Sequence, residues 1–161
     1  MKHVDGDLIE MAKQGQFNII VHGCNCMNTM GKGIAAVVKT AFPSAYQADQ
    51  LTVRGDRDKL GKISFARQDS GLYVVNAYTQ YDYWSHGQGK TRHADYDAID
   101  RAMWRIARYA RDWHAGQWDD TIKIGIPLIG AGLAGGDWNV IEQIVLKHLD
   151  CFDLTLVRLP S

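Results

Sequence analysis

The chain has 161 residues, of which 46% are hydrophobic and 22% charged, with 16 glycines and three prolines, a composition that excludes disorder, collagen and coiled coil. Eighteen Lys and Arg balance 18 Asp and Glu, so there is no net positive field for general nucleic-acid binding. Three cysteines cannot close a disulfide framework, Met1-Lys2-His3-Val4-Asp5 opens the chain without an apolar signal, and no stretch nears the ~20 apolar residues that span a bilayer; one soluble, cytoplasmic, monomeric domain over 1–161, with no membrane partner, is expected.

Phe17 to Val21 is a short apolar, β-branched run bounded by polar residues and then glycine, which reads as a buried strand. Helical spacing begins after Gly33, with Ile34, Val37, Val38 and Ala41 on one face, and Pro43 stops or restarts it before a second helical piece near Ala45 to Val53. Lys62 to Arg67 and Leu72 to Ala77 are strand candidates joined by Gln68-Asp69-Ser70-Gly71, a turn that predicts an antiparallel hairpin. From Asp95 to about Trp113, Ile99, Ala102, Met103, Ile106 and Ala110 recur every three or four residues, leaving Arg101, Arg105 and Arg108 outside; this is an amphipathic helix. Ile122 to Ile126 is a strand, Asp137 caps a helix carrying Val140, Ile141, Ile144, Val145 and Leu149, and Leu154 to Val157 is a last strand. The alternation predicts a three-layer α/β/α domain with a mixed central sheet, ligands lying beyond the carboxyl ends of its strands.

Two loops at those ends are rich in glycine. The first, His22-Gly23-Cys24-Asn25-Cys26-Met27-Asn28-Thr29-Met30-Gly31-Lys32-Gly33, follows a strand and opens a helix, where flexible backbone and unpaired amides suit a phosphate. The second, Pro127-Leu128-Ile129-Gly130-Ala131-Gly132-Leu133-Ala134-Gly135-Gly136-Asp137, has the same setting, and two such loops on one sheet edge can hold two linked phosphates. Its G-x-G-x-x-G spacing is shared with dinucleotide folds, but only one helix and one strand follow, too few for that architecture.

Other apparent signatures lack their context. Gly89-Lys90-Thr91 ends like a phosphate-binding P-loop, yet Trp84 stands at the upstream glycine position and a surface loop is expected. A thiol phosphatase with Cys26 as nucleophile needs arginine where Lys32 stands. His22, Cys24 and Cys26 alternate but have no second ligand cluster; no metal or cofactor is expected, and the cysteines read as small buried side chains.

Gly6-Asp7-Leu8, His22-Gly23-Cys24-Asn25 with Gly31-Lys32-Gly33-Ile34-Ala35, and Ile126-Pro127-Leu128-Ile129-Gly130-Ala131-Gly132-Leu133 stand in order along the chain, and with them the sequence resembles a macrodomain, an ADP-ribose-binding module. His22-Gly23-Cys24-Asn25, in place of the common Asn-Ala-Ala-Asn form, is more similar to the branch containing ADP-ribose 1″-phosphate phosphatases. The resemblance implies that Asp7 accepts from adenine with the Leu8 backbone nearby, that Asn25 contacts the distal ribose, and that Gly31, Lys32, Gly33 and Ile34 with Ile129, Gly130, Ala131, Gly132 and Leu133 surround the diphosphate. Asp7 can also cap a helix starting at Leu8, and Asn25 can bridge its own loop. The resemblance further implies that His22 is catalytic, with an aspartate as acid partner; Asp82 is the first candidate and Asp95, a potential helix cap, the alternative. ADP-ribose and its 1″-phosphate are thus the expected partners. The rivals are removal of ADP-ribose from protein or nucleic acid, where Lys32 or Arg67 would matter, and ADP-ribose binding without catalysis.

Overall fold

The computed structural model describes residues 1–83 and 92–160. The segment around Gly89-Lys90-Thr91, read above as a surface loop, lies outside the described residues. Alternating apolar side chains explain the layers. In β2 (Ile19–Cys24), Ile19 and Val21 join one core while Ile20 joins the other, because successive strand residues point to opposite faces. β4 (Tyr73–Tyr78) repeats the pattern, with Val75 and Ala77 on the first face and Val74 on the second.

Among the described residues the sheet has six strands in the order β1-β6-β5-β2-β4-β3, with β1 at Lys2–Asp5, β3 at Ile63–Arg67, β5 at Lys123–Ile126 and β6 at Asp153–Arg158. Only the β3–β4 hairpin is antiparallel, so the mixed α/β/α arrangement expected from the sequence is the one observed. α1 (Leu8–Lys13), α2 (Gly33–Ala41) and α3 (Pro43–Gln50) cover one face. α4 (Tyr96–Trp113) and α5 (Trp138–Leu149) cover the other. Among the described residues no helix is long and apolar enough to cross a membrane.

Two elements extend the sequence reading. β1, too polar to stand out, is recruited as an edge strand by parallel pairing of Lys2–Asp5 with Thr155–Arg158. β2 runs on through His22, Gly23 and Cys24, paired with Asn76, Ala77 and Tyr78 of β4, so these three are strand residues and not the start of the loop.

Candidate functional site

Beyond the carboxyl ends of β2 and β5 lies an open cleft of about 540 Å³, walled on one side by Asn25, Thr29 and Gly31–Ala35 and on the other by Pro127–Gly130 and Gly132–Ala134. Gly23 and Cys24 form part of its lining, with Gln80 and Tyr83. Both expected glycine loops therefore reach one site. Of the loop residues that the resemblance places around the ribose and diphosphate, Ala131 alone falls outside the lining; it packs against the core below.

The first wall is the start of α2. Its N-cap position, Lys32, makes no side-chain hydrogen bond to the helix, whereas α1, α4 and α5 are capped by Asp7, Asp95 and Asp137. The first-turn amides of α2 thus lack both an upstream carbonyl and a capping oxygen, and they stand at the cleft as donors for an anion. Gly33 has φ 60°, a left-handed conformation that glycine adopts without strain. A Cβ there would lie 3.8 Å from Leu133 Cδ1 of the facing loop, so any side chain at 33 would enter the gap between the walls.

The second wall is closed by its own glycines. Gly136 N–H donates to Gly130 O at 2.7 Å, and a Cβ on Gly136 would come within 2.6 Å of that oxygen. Within the G-x-G-x-x-G stretch itself, Gly135 N–H donates to Gly132 O at 3.0 Å. Ala134 O accepts from His93 and Ala94 N–H, at 2.8 and 3.1 Å, which pins the loop to the chain entering α4.

Asn25 closes its own turn, Oδ1 accepting from Met27 N–H at 2.8 Å and Nδ2 donating to Thr29 Oγ1 at 2.9 Å. Its amide still has one N–H and one lone pair for a ligand, so the bridging and ligand-facing roles coexist.

His22 lies beneath the cleft surface. The ring is 2% exposed, on the α2–α3 face of β2, and is not part of the cleft lining. Asn76 Nδ2 donates to Ala45 O at 2.9 Å and to Ser64 Oγ at 3.0 Å, which turns Oδ1 toward the histidine, 2.6 Å from Nε2. Nε2 therefore carries the proton. Burial pushes the pKa down from 6.5 to about 4, against the opposing pull of the Asn76 bond, so the ring is neutral at pH 7. Cys24 Sγ packs on it at 3.7 Å from Nε2, and burial, reinforced by Asp49, holds that thiol well above the usual thiol range. The ring thus sits directly behind Gly23 and Cys24 of the lining, bonded to Asn76.

The remaining expectations divide. Asp82 lies beside the cleft-lining Tyr83, its Oδ1 accepting the Tyr83 N–H at 2.8 Å and its carbonyl accepting from Gln80 Nε2 at 2.7 Å, but it is not itself in the lining. Asp95 caps α4 by accepting from Ala98 N–H at 3.0 Å. Asp7 caps α1 through Ile9 and Glu10 N–H at 3.0 and 3.2 Å, and Leu8 is buried in the core. Both follow β1 on the same sheet edge as the cleft, two strand positions beyond β5, roughly 10 Å at ordinary strand spacing. Arg67 pairs with Tyr73 at the start of β4, which places it at the opposite end of the sheet and corrects its candidacy. Gln80 and Tyr83 were missed as lining residues because only the end of β4 brings them there; no local motif marks them. Among the described residues no group of three or more His, Cys, Asp or Glu is placed to hold a metal.

A mixed sheet between two helical layers, with two amide-rich loops facing across a cleft, defines an α/β/α anion-binding domain. The chain belongs to the macrodomain family, whose Macro domain model matches residues 21–145. It is 31% identical to an uncharacterized 17.5 kDa protein of Enterobacteria phage T4, over 98% of this chain and 95% of that one. It is 26% identical to an ADP-ribose 1″-phosphate phosphatase of Meyerozyma guilliermondii, covering 92% of this chain and 93% of the relative. A DNA ADP-ribosyl glycohydrolase of Mycobacterium tuberculosis is 25% identical over 86% of this chain, but the match spans only 35% of that protein. Among solved structures, the macrodomain of Thermus aquaticus DarG superposes with a TM-score of 0.71 at 21% identity, covering 99% of this chain and 97% of that one, a likeness of fold.

Proposed function

We propose that the cleft binds ADP-ribose and that the chain hydrolyses the terminal phosphate of ADP-ribose 1″-phosphate. The observation that carries the reading is the uncapped N-terminus of α2 facing the glycine loop across a gap into which a side chain at Gly33 would project. A diphosphate between these walls receives backbone donors from both without any need for net positive charge. The whole-length match to the phosphatase of Meyerozyma guilliermondii supports the choice of reaction.

Asn25 orients the distal ribose in this reading, which directs the terminal phosphate toward Lys32, Gln80 and the lip at Asp82. Water attacks phosphorus as the bond from phosphorus to the ribose oxygen breaks, and that oxygen takes up a proton, releasing inorganic phosphate and ADP-ribose. Phosphoryl transfer passes through a loose transition state, so positioning and charge stabilisation supply most of the catalysis. Amides and the Lys32 ammonium meet that charge, and Asp82, bonded to the N–H of the lining residue Tyr83, is the carboxyl assigned to proton exchange. His22 bonds Asn76 beneath the floor and packs against Cys24 of the lining. Incubating the protein with ADP-ribose 1″-phosphate and measuring phosphate release tests the reaction. Release is expected; ADP-ribose freed from ADP-ribosylated DNA, with no phosphate release, would replace this reading with glycohydrolysis, and binding without either would make the chain a reader.

A further inference from the structure

The first ligand loop is not held by its own residues alone. Its underside rests on the end of α3 and the segment between α3 and β3, which supply partners to Cys26 and Asn28. Cys26 O accepts from Gly55 N–H at 2.7 Å and from Lys59 Nζ at 3.2 Å. Asn28 Nδ2 donates to Thr52 O at 2.7 Å, and Asn28 O accepts from Gln50 Nε2 at 2.8 Å. Asn28 Oδ1 accepts from Lys59 Nζ. Asn28 is also the one non-glycine residue with positive φ among the described residues, at 57°, a conformation that asparagine adopts more readily than other residues with a Cβ.

Lys59 is the residue common to this arrangement. It ends the short 3₁₀ turn Arg57–Lys59, whose entry is capped by Asp56 accepting from Asp58 N–H at 2.9 Å. Its side chain is 6% exposed, and its ammonium lies 4.9 Å from the centre of the Tyr78 ring. Asp49, equally buried, accepts from Tyr78 OH at 2.7 Å and provides the opposing charge. A lysine is rarely buried unless its charge is answered. Here the answer is given by two acceptors of the ligand loop itself, an aromatic face and a buried carboxylate. Lys59 does not line the cleft, so any effect on a ligand passes through Cys26 and Asn28 to Asn25, Thr29 and the start of α2.

We propose that Lys59 is the positioning residue of the ligand loop, its ammonium bridging Cys26 O and Asn28 Oδ1 so that the loop is held in the shape that presents Asn25 and the α2 amides. The affinity consequence rests on the reading of the cleft as an ADP-ribose site; the loop-ordering consequence does not. Removing the bridge lowers the population of the competent loop, and apparent affinity falls with that population.

The test uses the whole chain with Lys59→Met, which keeps the stem and removes the charge, and Lys59→Arg, which keeps the charge. Asn28→Gly keeps positive φ and loses the acceptor. Amide hydrogen exchange on the ligand-free protein should speed up over residues 26–35 in Lys59→Met and Asn28→Gly, with the amides of α4 and α5 unchanged, and Lys59→Arg should restore part of the protection. Calorimetry with ADP-ribose should show about tenfold or greater loss of affinity for Lys59→Met, while the core variant Ile106→Val lowers the melting temperature without moving affinity. Loop exchange and affinity both at wild-type values in Lys59→Met would overturn the proposal, as would faster exchange spread evenly over the chain. If Lys59→Met does not fold, Asn28→Gly and Lys59→Arg decide by the same criteria. A wild-type protein that fails to bind ADP-ribose would refute the reading of the cleft, and loop exchange in the variants would then decide the role of Lys59 by itself.

Discussion

Acidification should destabilise the fold through His22 in a way that can be isolated from the carboxylates. The ring is buried, donates through Nε2 to Asn76, and has its pKa pushed down from 6.5 to about 4, with desolvation as the main cause. Above pH 6.5 both folded and unfolded chains hold a neutral ring, and the full stability is present. As pH falls, the unfolded chain takes up a proton that the folded one refuses, so stability is lost progressively until the folded ring titrates near pH 4. The shift corresponds to about 3 kcal/mol, a large share of the 5–15 kcal/mol typical of a domain. Urea unfolding of wild type and His22→Gln between pH 7 and 4 measures it. Glutamine retains a donor for Asn76 but has no titrating group. The stability advantage of wild type at pH 7 should shrink by about 3 kcal/mol by pH 4. A difference between the two proteins that stays constant with pH would refute the buried, neutral assignment, and with it the role of His22 as a fixed element of the floor.

Gly33→Glu should remain folded and lose ADP-ribose binding in calorimetry, because a side chain there enters the gap to Leu133 and the left-handed backbone adds about 1–2 kcal/mol of strain; normal affinity would show that α2 does not receive the diphosphate. Asp7→Ala should lower unfolding free energy by about 1 kcal/mol through loss of the cap to Ile9 and Glu10, and a loss of ADP-ribose affinity beside it would add the adenine contact that the resemblance implies. Gly136→Ala should cost about 1–3 kcal/mol in denaturant unfolding, since its Cβ would meet Gly130 O at 2.6 Å, and it should weaken ligand binding through the second loop. Arg67→Ala should leave affinity and turnover at wild-type values, because the end of β3, opposite Tyr73 at the start of β4, is at the far end of the sheet.

Local chemistry made much of this protein legible. The three- and four-residue spacing of Ile99 to Ala110 forces α4 to face the sheet with those side chains, and they are buried as expected. Gln68–Gly71 supplies the hairpin turn, Gln68 N–H bonding Leu72 O at 2.7 Å, and Asp137 caps α5 through Asn139 N–H at 2.9 Å. Glycines that follow strands and precede helices announced both walls of the cleft, because a flexible backbone at a helix start is a property of the chain itself.

Long-range pairing decided the rest. Whether His22 faces the ligand or the layer beneath depends on how far β2 continues, and its pairing with Asn76 of β4 settles that; a strand exposes alternate residues to opposite faces, so each further paired residue fixes the orientation of the next. The same pairing carries Arg67 to one end of the sheet and Gln80 with Tyr83 to the other. No local motif marks Lys59 or Asp49; both are buried in the fold, where the ligand loop gives the lysine its acceptors and Tyr78 donates to the aspartate. Periodicity is written in neighbouring residues, but the solvent exposure and hydrogen-bond partners of a polar side chain are set by segments distant in sequence, and those were decided by the tertiary fold.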